Sequence, residues 1–168
     1  LNKSLVLTGM MGVGKSTIGR LIAKRLKIKF IDVDKIIEKK KKKTIKRIFE
    51  DHGEKYFRKL EEKTTLKILK NNKSVIALGG GAFINKEIRH KVLNSCVSVW
   101  LKADLDNLIK RYNKNDRRPL LDKKKLNTDV RRIYQSRKKI YSLADFKINC
   151  DNIDKKIIVQ KILDFYEN

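Results

Sequence analysis

The chain has 168 residues, 40% hydrophobic and 37% charged, and carries a formal net charge of +24 at pH 7. Its single proline and its hydrophobic content exclude a disordered chain, and its length fits one globular domain. No apolar run approaches the roughly 20 residues of a membrane span, and the first predicted strand begins within five residues, so we expect neither a membrane segment nor a leader.

The positive charge has two interpretations. A strongly basic chain can bind nucleic acid or an anionic membrane surface. Here the lysines are spread along nearly every predicted helix, and runs such as residues 39–43 and 123–125 are not interleaved with aromatic side chains. We therefore favour solvated helix faces, with some excess charge attracting anionic substrates. We expect no nucleic-acid partner and no membrane partner.

The two cysteines indicate the compartment. Cys96 and Cys150 each lie in or beside a strand-like segment, and their spacing is typical of neither a disulfide framework nor a metal site. Two such cysteines are expected to be buried free thiols in a reducing compartment. We therefore expect the protein to be cytoplasmic.

In chain order, strand-like apolar runs alternate with helical patterns. The runs are residues 4–8, 30–32, 75–78, 97–101 and 146–149. The apolar stripes of the helices are Ile18, Leu21, Ile22 and Leu26; then Tyr56, Phe57 and Leu60; then Ile153, Ile157, Ile158, Ile162, Phe165 and Tyr166. Alternation of this kind predicts an α/β fold, a parallel sheet with helices on both faces. Ligands of such sheets bind beyond the carboxyl ends of the strands.

A glycine-rich loop follows the first strand. Residues 9–16 read GMMGVGKS, which matches G-x-x-x-x-G-K-S between a strand and a helix. The glycines let backbone N–H groups point at phosphate oxygens, Lys15 reaches the β- and γ-phosphates, and the Ser16 hydroxyl can ligate Mg²⁺. The alternative is a chance glycine turn. The flanking strand and helix favour a nucleotide-binding loop.

Two aspartates follow the second strand. Asp32 and Asp34 stand next to the predicted phosphate site. Carboxylates there can hold Mg²⁺ through water and position a hydroxyl nucleophile. The alternative is that Asp34 is the N-cap of a helix over residues 36–40. The pair alone does not decide between the two.

Three further features allow a functional and a structural interpretation. The triple glycine at residues 79–81 indicates either a close approach to the backbone or a strand-to-helix turn. Arg58, next to Phe57 on a predicted helix, is either a bidentate carboxylate clamp or a surface arginine. The polar stretch at residues 113–125 includes Arg117 and Arg118, which either neutralise charge over a triphosphate or are solvated.

Taken together, these segments resemble shikimate kinase over nearly the whole chain. The segments that carry the resemblance are residues 9–20 (GMMGVGKSTIGR), 30–34 (FIDVD), 48–58 (IFEDHGEKYFR), 78–82 (LGGGA), 118–121 (RPLL) and 137–145 (RKKIYSLAD). The resemblance implies a three-layer nucleoside-monophosphate-kinase-like fold with five parallel strands and a lid. It also implies transfer of the γ-phosphate of ATP to the 3-hydroxyl of shikimate, in aromatic amino-acid biosynthesis.

The resemblance further implies a role for each matching residue. The implied ATP-binding residues are Gly12, Val13, Gly14, Lys15, Ser16, Thr17, Arg111 and Arg118, with Arg111 packing on adenine. The implied acceptor site is Asp34, Arg58, Gly79, Gly80, Gly81 and Arg137, in which the two arginines clamp the carboxylate. Lys15, Asp34 and Arg118 would be catalytic, with Asp34 as base. Ser16, and Asp32 through water, would organise Mg²⁺ as the cofactor.

The implied organisation is one kinase domain over residues 1–168. Its substrate-binding helices would span residues 34–62 and its lid residues 113–125, and we expect a monomer. The chain departs from the family near residues 151–153, where many relatives carry Arg or Pro beside adenine. Three alternatives stay open: another small-molecule kinase such as a gluconate kinase, a nucleotide-dependent nucleic-acid-binding module, and an inactive regulatory paralogue.

Overall fold

A computed structural model describes residues 3–70, 73–113 and 126–167. Within these ranges, five strands form one parallel sheet in the order β2-β3-β1-β4-β5. The strands are β1 (Ser4–Thr8), β2 (Lys29–Asp32), β3 (Ser74–Ala77), β4 (Cys96–Lys102) and β5 (Phe146–Asn149). All five predicted strands are confirmed, each to within one residue at either end.

Helices cover both faces of this sheet. In the described part they are α1 (Lys15–Leu26), α2 (Val33–Lys41), α3 (Ile45–Ile68), α4 (Lys86–Ser95), α5 (Leu105–Asn113), α6 (Leu126–Tyr141) and α7 (Lys155–Glu167). Every residue of β1 and of β3 is buried, so neither face of the central strands meets solvent. Helix α1 packs against α7, while α3 packs against α4. The predicted three-layer α/β class is confirmed.

The faces that the helices bury differ in part from the prediction. The sequence pattern predicts Leu21 in α1 and Ile157 in α7 on buried apolar stripes, but they are 38% and 50% exposed. Ile157 precedes the buried Ile162 by five residues, which places it about 140° around the helix. Val159 and Leu163 take its place in the core. Tyr56 is exposed as well, whereas its neighbour Phe57 is buried.

The cysteines agree with the prediction of free thiols. Cys96 is buried at the start of β4, and Cys150 is half-buried just after β5. Burial raises the pKa of both thiols, that of Cys150 to about 11. Both side chains are therefore protonated at neutral pH.

The sheet order places two loops side by side at one edge. The central strand β1 lies between β3 and β4, with Leu7 opposite Ala77 in β3 and opposite Val99 in β4. The first residue after β3 continues this pairing, since the Leu78 N–H donates to the Leu7 carbonyl at 3.1 Å. The glycine loop after β1 and the glycine triplet after β3 therefore begin next to each other.

Candidate active site

A cavity of about 980 Å³ opens at this edge of the sheet. Its volume lies at the upper end of the range typical of small-molecule sites. Its lining comes from the loop after β1, the start of α2, one face of α3, the loop after β3, and arginines of α5 and α6. Segments far apart in the sequence thus meet around one space.

The loop after β1 has the conformation that its glycines permit. Gly9, Gly12 and Gly14 adopt φ values of 132°, 68° and 109°, a region that side chains with a Cβ rarely enter. Helix α1 begins directly behind the loop at Lys15, and no side chain caps its N-terminus. Its first N–H groups and its dipole therefore favour an anion at this point.

Lys15 and Arg111 flank the loop. The Lys15 ammonium is buried and donates to the carbonyls of Gly9 and Met10 at 2.8 and 2.9 Å. Arg111, on α5, donates from Nη1 to the Gly12 carbonyl at 3.4 Å. Both cations line the cavity, as do Ser16 and Thr17. The Val13 side chain packs in the core instead, so that only its main chain belongs to the loop.

Ser16 and Asp32 form a pair of oxygen groups beside the loop. The Ser16 hydroxyl donates to Asp32 Oδ2 at 2.6 Å, while Asp32 Oδ1 accepts the Lys35 N–H at 3.2 Å. Asp32 is therefore the N-cap of α2, and that helix begins at Val33. The alternative in which Asp34 caps a helix beginning at residue 36 is wrong.

Asp34 lies in the first turn of α2, with its carboxylate turned into the cavity. Its Oδ1 is buried and accepts no hydrogen bond from any residue that the structure describes. Burial, together with the nearby Glu61 carboxylate, raises the pKa of Asp34 to about 7, although the Lys15 ammonium opposes the rise. At neutral pH this carboxyl is thus near its midpoint, where a group can both accept and return a proton.

The glycine triplet is explained by close approach of side chains. A Cβ on Gly79 would lie 2.4 Å from Glu61 Oε1 and 2.8 Å from Asp34 Oδ1. One on Gly81 would lie 2.5 Å from Arg58 Nη1, and one on Gly80 would lie 3.1 Å from the Met11 nitrogen. Both interpretations hold, since acidic and cationic groups of the cavity occupy the space beside the backbone, and the triplet also forms a turn in which the Ala82 N–H donates to the Gly79 carbonyl at 3.1 Å.

Arg58 is held by two carboxylates of its own helix. Its Nη1 donates to Glu61 Oε2 at 2.7 Å, and its Nη2 donates to Glu54 Oε1 at 3.1 Å. Burial alone would lower the pKa of Arg58, but these carboxylates raise it above its usual value. Burial raises the pKa of Glu61, against the effect of Arg58. Arg58 is consequently a charged, fixed group at the cavity wall rather than a surface arginine.

Arg137 reaches the same wall from α6. Its Nη1 donates to the Gly80 carbonyl at 3.1 Å, which brings it to the triplet beside which Arg58 also lies. Two guanidinium groups therefore converge on residues 80 and 81. Arg118 and residues 114–125 of the predicted lid lie outside the described residues.

Sequence reasoning missed two kinds of residue in this cavity. Glu61 and Glu38 line it as further acidic groups, and Ile45, Phe49 and Phe57 form its apolar wall. Arg58 and Glu61 stand three residues apart on a helix, a spacing that favours an ion pair. In a chain with 43 Lys and Arg residues, that spacing recurs too often to single out one pair.

The fold and the cavity define a P-loop kinase that acts on a small acceptor. The glycine loop with Lys15 lines one part of the cavity, and Asp34 with two convergent arginines lines another. A model of the family described as shikimate kinase matches residues 11–167. The chain belongs to the shikimate kinase family, whose members transfer the γ-phosphate of ATP to the 3-hydroxyl of shikimate.

Individual relatives agree with this assignment. The chain is 41% identical to shikimate kinases from Bartonella henselae and from Rhizobium leguminosarum bv. trifolii, over 96% of this chain and 77% and 83% of theirs. A shikimate kinase from Acinetobacter baumannii, solved in complex with shikimate, superposes with a TM-score of 0.93 at 30% identity. That match covers 98% of this chain and 92% of the other.

More distant structures share the fold alone. A gluconokinase from Sinorhizobium meliloti superposes with a TM-score of 0.56 at 14% identity, over 94% of this chain and 87% of the other.

None of the helices in the ranges 3–70, 73–113 and 126–167 combines the length and the apolar character needed to cross a membrane.

Proposed function

We propose that this cavity is where the chain transfers the γ-phosphate of ATP to shikimate, giving shikimate 3-phosphate and ADP, and that it does so through the residues described above. The observation that carries the proposal is the Asp34 carboxylate. It is buried between the phosphate loop and the two arginines, and its Oδ1 accepts no hydrogen bond within the described residues. A buried acceptor of this kind is suited to a substrate hydroxyl.

The donor half would bind the nucleotide. The amides of residues 12–17 and the Lys15 ammonium would hold the β- and γ-phosphates, and Arg111 would lie along the adenine. Arg118 would be a further residue of the donor half, whose guanidinium would neutralise charge that develops on the transferred phosphoryl group. Positioning and charge neutralisation of this kind supply most of the catalysis in phosphoryl transfer.

The Ser16 and Asp32 pair fits a magnesium ion. Both groups present oxygen, the ligand type that Mg²⁺ prefers, and they lie 2.6 Å apart next to the phosphate loop. Ser16 would ligate the ion directly and Asp32 through water. When bound, Mg²⁺ would neutralise negative charge on the phosphates. Among the described residues, no cluster of three His, Cys, Asp or Glu side chains is arranged to hold a metal.

The acceptor half would bind shikimate by its carboxylate and its hydroxyls. Arg58 and Arg137 would clamp the carboxylate, since a guanidinium binds such a group bidentately. The backbone of residues 79–81 would contact the ring. Asp34 would accept the proton of the 3-hydroxyl as that oxygen attacks the γ-phosphorus and the bond to the β-phosphate oxygen breaks. The pKa of about 7 keeps a large fraction of Asp34 ionised for this step.

We propose further that the protein acts as a monomer made of one kinase domain, with substrate-binding helices over residues 34–62. The large hydrophobic side chains exposed on the described surface are few and scattered: Leu21, Ile36, Tyr56, Leu143 and Ile157. The free thiols support a reducing compartment, and we propose the cytoplasm. Sedimentation velocity would test the monomer directly.

An acceptor panel tests the proposed function. ADP release is measured with MgATP and, in turn, shikimate, gluconate and nucleoside monophosphates. Of these acceptors, we expect only shikimate to be turned over. In Asp34→Asn we expect kcat for shikimate to fall about 10²- to 10⁴-fold, the range typical of a lost general base. Turnover with another acceptor in place of shikimate would contradict the assigned substrate, and an active Asp34→Asn would contradict the assigned base.

A further inference from the structure

The Gly80 carbonyl accepts two hydrogen bonds from one face of α6. Arg137 donates to it from Nη1 at 3.1 Å, and the Tyr141 hydroxyl donates to it as well. The two donors are four residues apart, which places them one above the other on the helix. One backbone oxygen of the glycine triplet at residues 79–81, here called the acceptor loop, is thereby fixed by two side chains of α6.

Tyr141 itself is held firmly. It is fully buried at the end of α6, and its ring packs on Trp100 of β4 with 5.9 Å between ring centroids. The hydroxyl also lies 3.9 Å from Met10 Sδ in the phosphate loop. A buried tyrosine hydroxyl needs a hydrogen-bond partner, and this one reaches between the two loops that line the cavity.

The direction of the Gly80 carbonyl determines the direction of the next N–H group. None of the described peptide bonds is cis, and in a trans peptide the carbonyl and the following N–H point in opposite directions. With the Gly80 carbonyl held against α6, the Gly81 N–H points away from α6. Arg58 lies beside the same residue, because a Cβ on Gly81 would be 2.5 Å from its Nη1.

We propose that Tyr141 is a positioning residue for the substrate carboxylate. Its hydroxyl fixes the orientation of the peptide between Gly80 and Gly81, so that the Gly81 N–H completes an anion site with Arg58. The same hydrogen bond holds the Gly80 carbonyl in place, to which Arg137 also donates. The inference rests on the proposed function, because the anion is the carboxylate of the acceptor. Tyr141 acts through its neighbours and touches no reacting atom.

Tyr166 is a matched control for a tyrosine that only stabilises the fold. It is 2% exposed, and its hydroxyl also donates to a backbone carbonyl, that of Lys3. It lies in α7 and contributes nothing to the lining of the cavity. Tyr141→Phe and Tyr166→Phe therefore remove the same type of hydrogen bond, one next to the acceptor loop and one elsewhere.

The experiment measures steady-state kinetics of both variants with shikimate and with shikimate methyl ester, which lacks the charged carboxylate. For Tyr141→Phe we expect KM for shikimate to rise about 3- to 10-fold, the effect of one hydrogen bond. We expect kcat and KM for ATP to stay within about twofold and the preference for shikimate over the ester to shrink by the same factor. Tyr166→Phe should change thermal stability only.

The failures are distinguishable. If the wild-type protein does not phosphorylate shikimate, the proposed function fails. If the wild type does phosphorylate shikimate, two results would show that Tyr141 only stabilises the fold. One is an unchanged KM for shikimate in Tyr141→Phe, and the other is an equal rise of KM for shikimate and for its methyl ester. Tyr141→Met repeats the test with another apolar side chain should Tyr141→Phe fold poorly.

A double variant provides a further test. In an Arg137→Ala background, the effect of Tyr141→Phe on KM for shikimate should shrink, and full additivity of the two effects would also overturn the inference.

Discussion

Single residues of the cavity are adjusted for reactivity at some cost in stability. Asp34 is the clearest case, because burial and the Glu61 carboxylate raise its pKa to about 7 while its unperturbed value is 3.8. Between pH 3.8 and a pH of about 7, Asp34 is largely protonated in the folded protein but largely ionised in the unfolded chain. Stability contributed by this group therefore falls as the pH rises from about 4 to about 7. Above that window the full cost is present.

The first prediction concerns the loss of folding stability that accompanies ionisation of Asp34. Asp34→Asn should raise the melting temperature above that of the wild type at pH 8, and by less at pH 5, because asparagine cannot ionise. Thermal unfolding at the two pH values measures it. Asp51 is the control with the opposite sign, since the Lys43 hydrogen bond lowers its pKa and Asp51→Asn should be destabilising at pH 8. A lower melting temperature for Asp34→Asn at pH 8 would contradict the account.

Arg58 and Glu61 form a partly buried pair with two separable roles. Glu61 is 2% exposed and accepts from Arg58 at 2.7 Å. Removing one partner of such a pair leaves a buried charge and typically costs about 3 kcal/mol. The substrate carboxylate, in contrast, would need only the arginine.

The second prediction follows from this difference. Arg58→Ala should lower the free energy of unfolding by about 3 kcal/mol and raise KM for shikimate at least tenfold. Adding Glu61→Gln should restore part of the stability, because the uncompensated charge is gone, without restoring KM. Urea unfolding and initial rates measure the two effects. Recovery of KM in the double variant would show that Arg58 does not bind the substrate.

At the scale of elements, the loop after β3 and helix α3 are fitted to each other. The triplet brings the backbone within reach of Asp34, Glu61 and Arg58, which come from two different helices. A side chain at Gly79 would displace two of these carboxylates. The geometry of the acceptor site is thus set by the absence of side chains in the loop.

The third prediction tests this fit. Gly79→Ala should lower kcat/KM about 100-fold, since its Cβ would lie 2.4 Å from Glu61 Oε1 and displace the base as well. Gly19→Ala is a matched steric control, with a Cβ also at 2.4 Å but from the Phe30 ring, away from the cavity. It should lower thermal stability and leave kcat/KM within about threefold. Equal losses of activity in both variants would refute a specific role of the triplet.

The sequence predicted some elements of the fold and not others. Strands and the phosphate loop were predictable because their signals are local: an apolar run, then glycines and Lys15 at fixed spacing. The buried faces of α1 and α7 were not, since Leu21 and Ile157 are apolar yet face solvent. Which apolar side chains a helix buries is decided by how it packs on its neighbours. The N-cap at Asp32 was not predicted either, because Asp32 and Asp34 both follow the strand and aspartate is a good N-cap at either position.

The parts of the site that needed the structure are tertiary. Nothing near Tyr141 in the sequence indicates that its hydroxyl meets a carbonyl 61 residues away. Glu61 could be paired with Arg58 by its spacing, but its approach to Gly79 depends on the packing of α3 beside the loop after β3. The resemblance to a family supplied the roles of arginines 58 and 137, which composition and periodicity could not.

At the scale of the whole molecule, the chain carries a net charge of +24, and both substrates of its family, ATP and shikimate, are anions. A positive field of this size raises the local concentration of anions and their association rate, and salt screens it over about 10 Å at 0.1 M. We therefore expect the excess charge to contribute to substrate capture.

The fourth prediction is that kcat/KM for shikimate falls several-fold as NaCl rises from about 20 to 200 mM, while kcat changes little. Initial rates at fixed MgATP measure it. The methyl ester, which has no charge, provides the control and should show a weaker dependence. The same salt dependence for both acceptors would assign the effect to nucleotide binding or to the fold instead.

The most direct measurement is a crystal structure of the protein with MgADP and shikimate. We predict the ADP phosphates on the loop of residues 9–16. The shikimate carboxylate should lie within hydrogen-bond distance of Arg58 and Arg137, and a ring hydroxyl should lie on Asp34. The 3-hydroxyl should face the phosphate loop. Shikimate bound with its carboxylate away from both arginines, or outside the cavity, would contradict the assignment of the acceptor site.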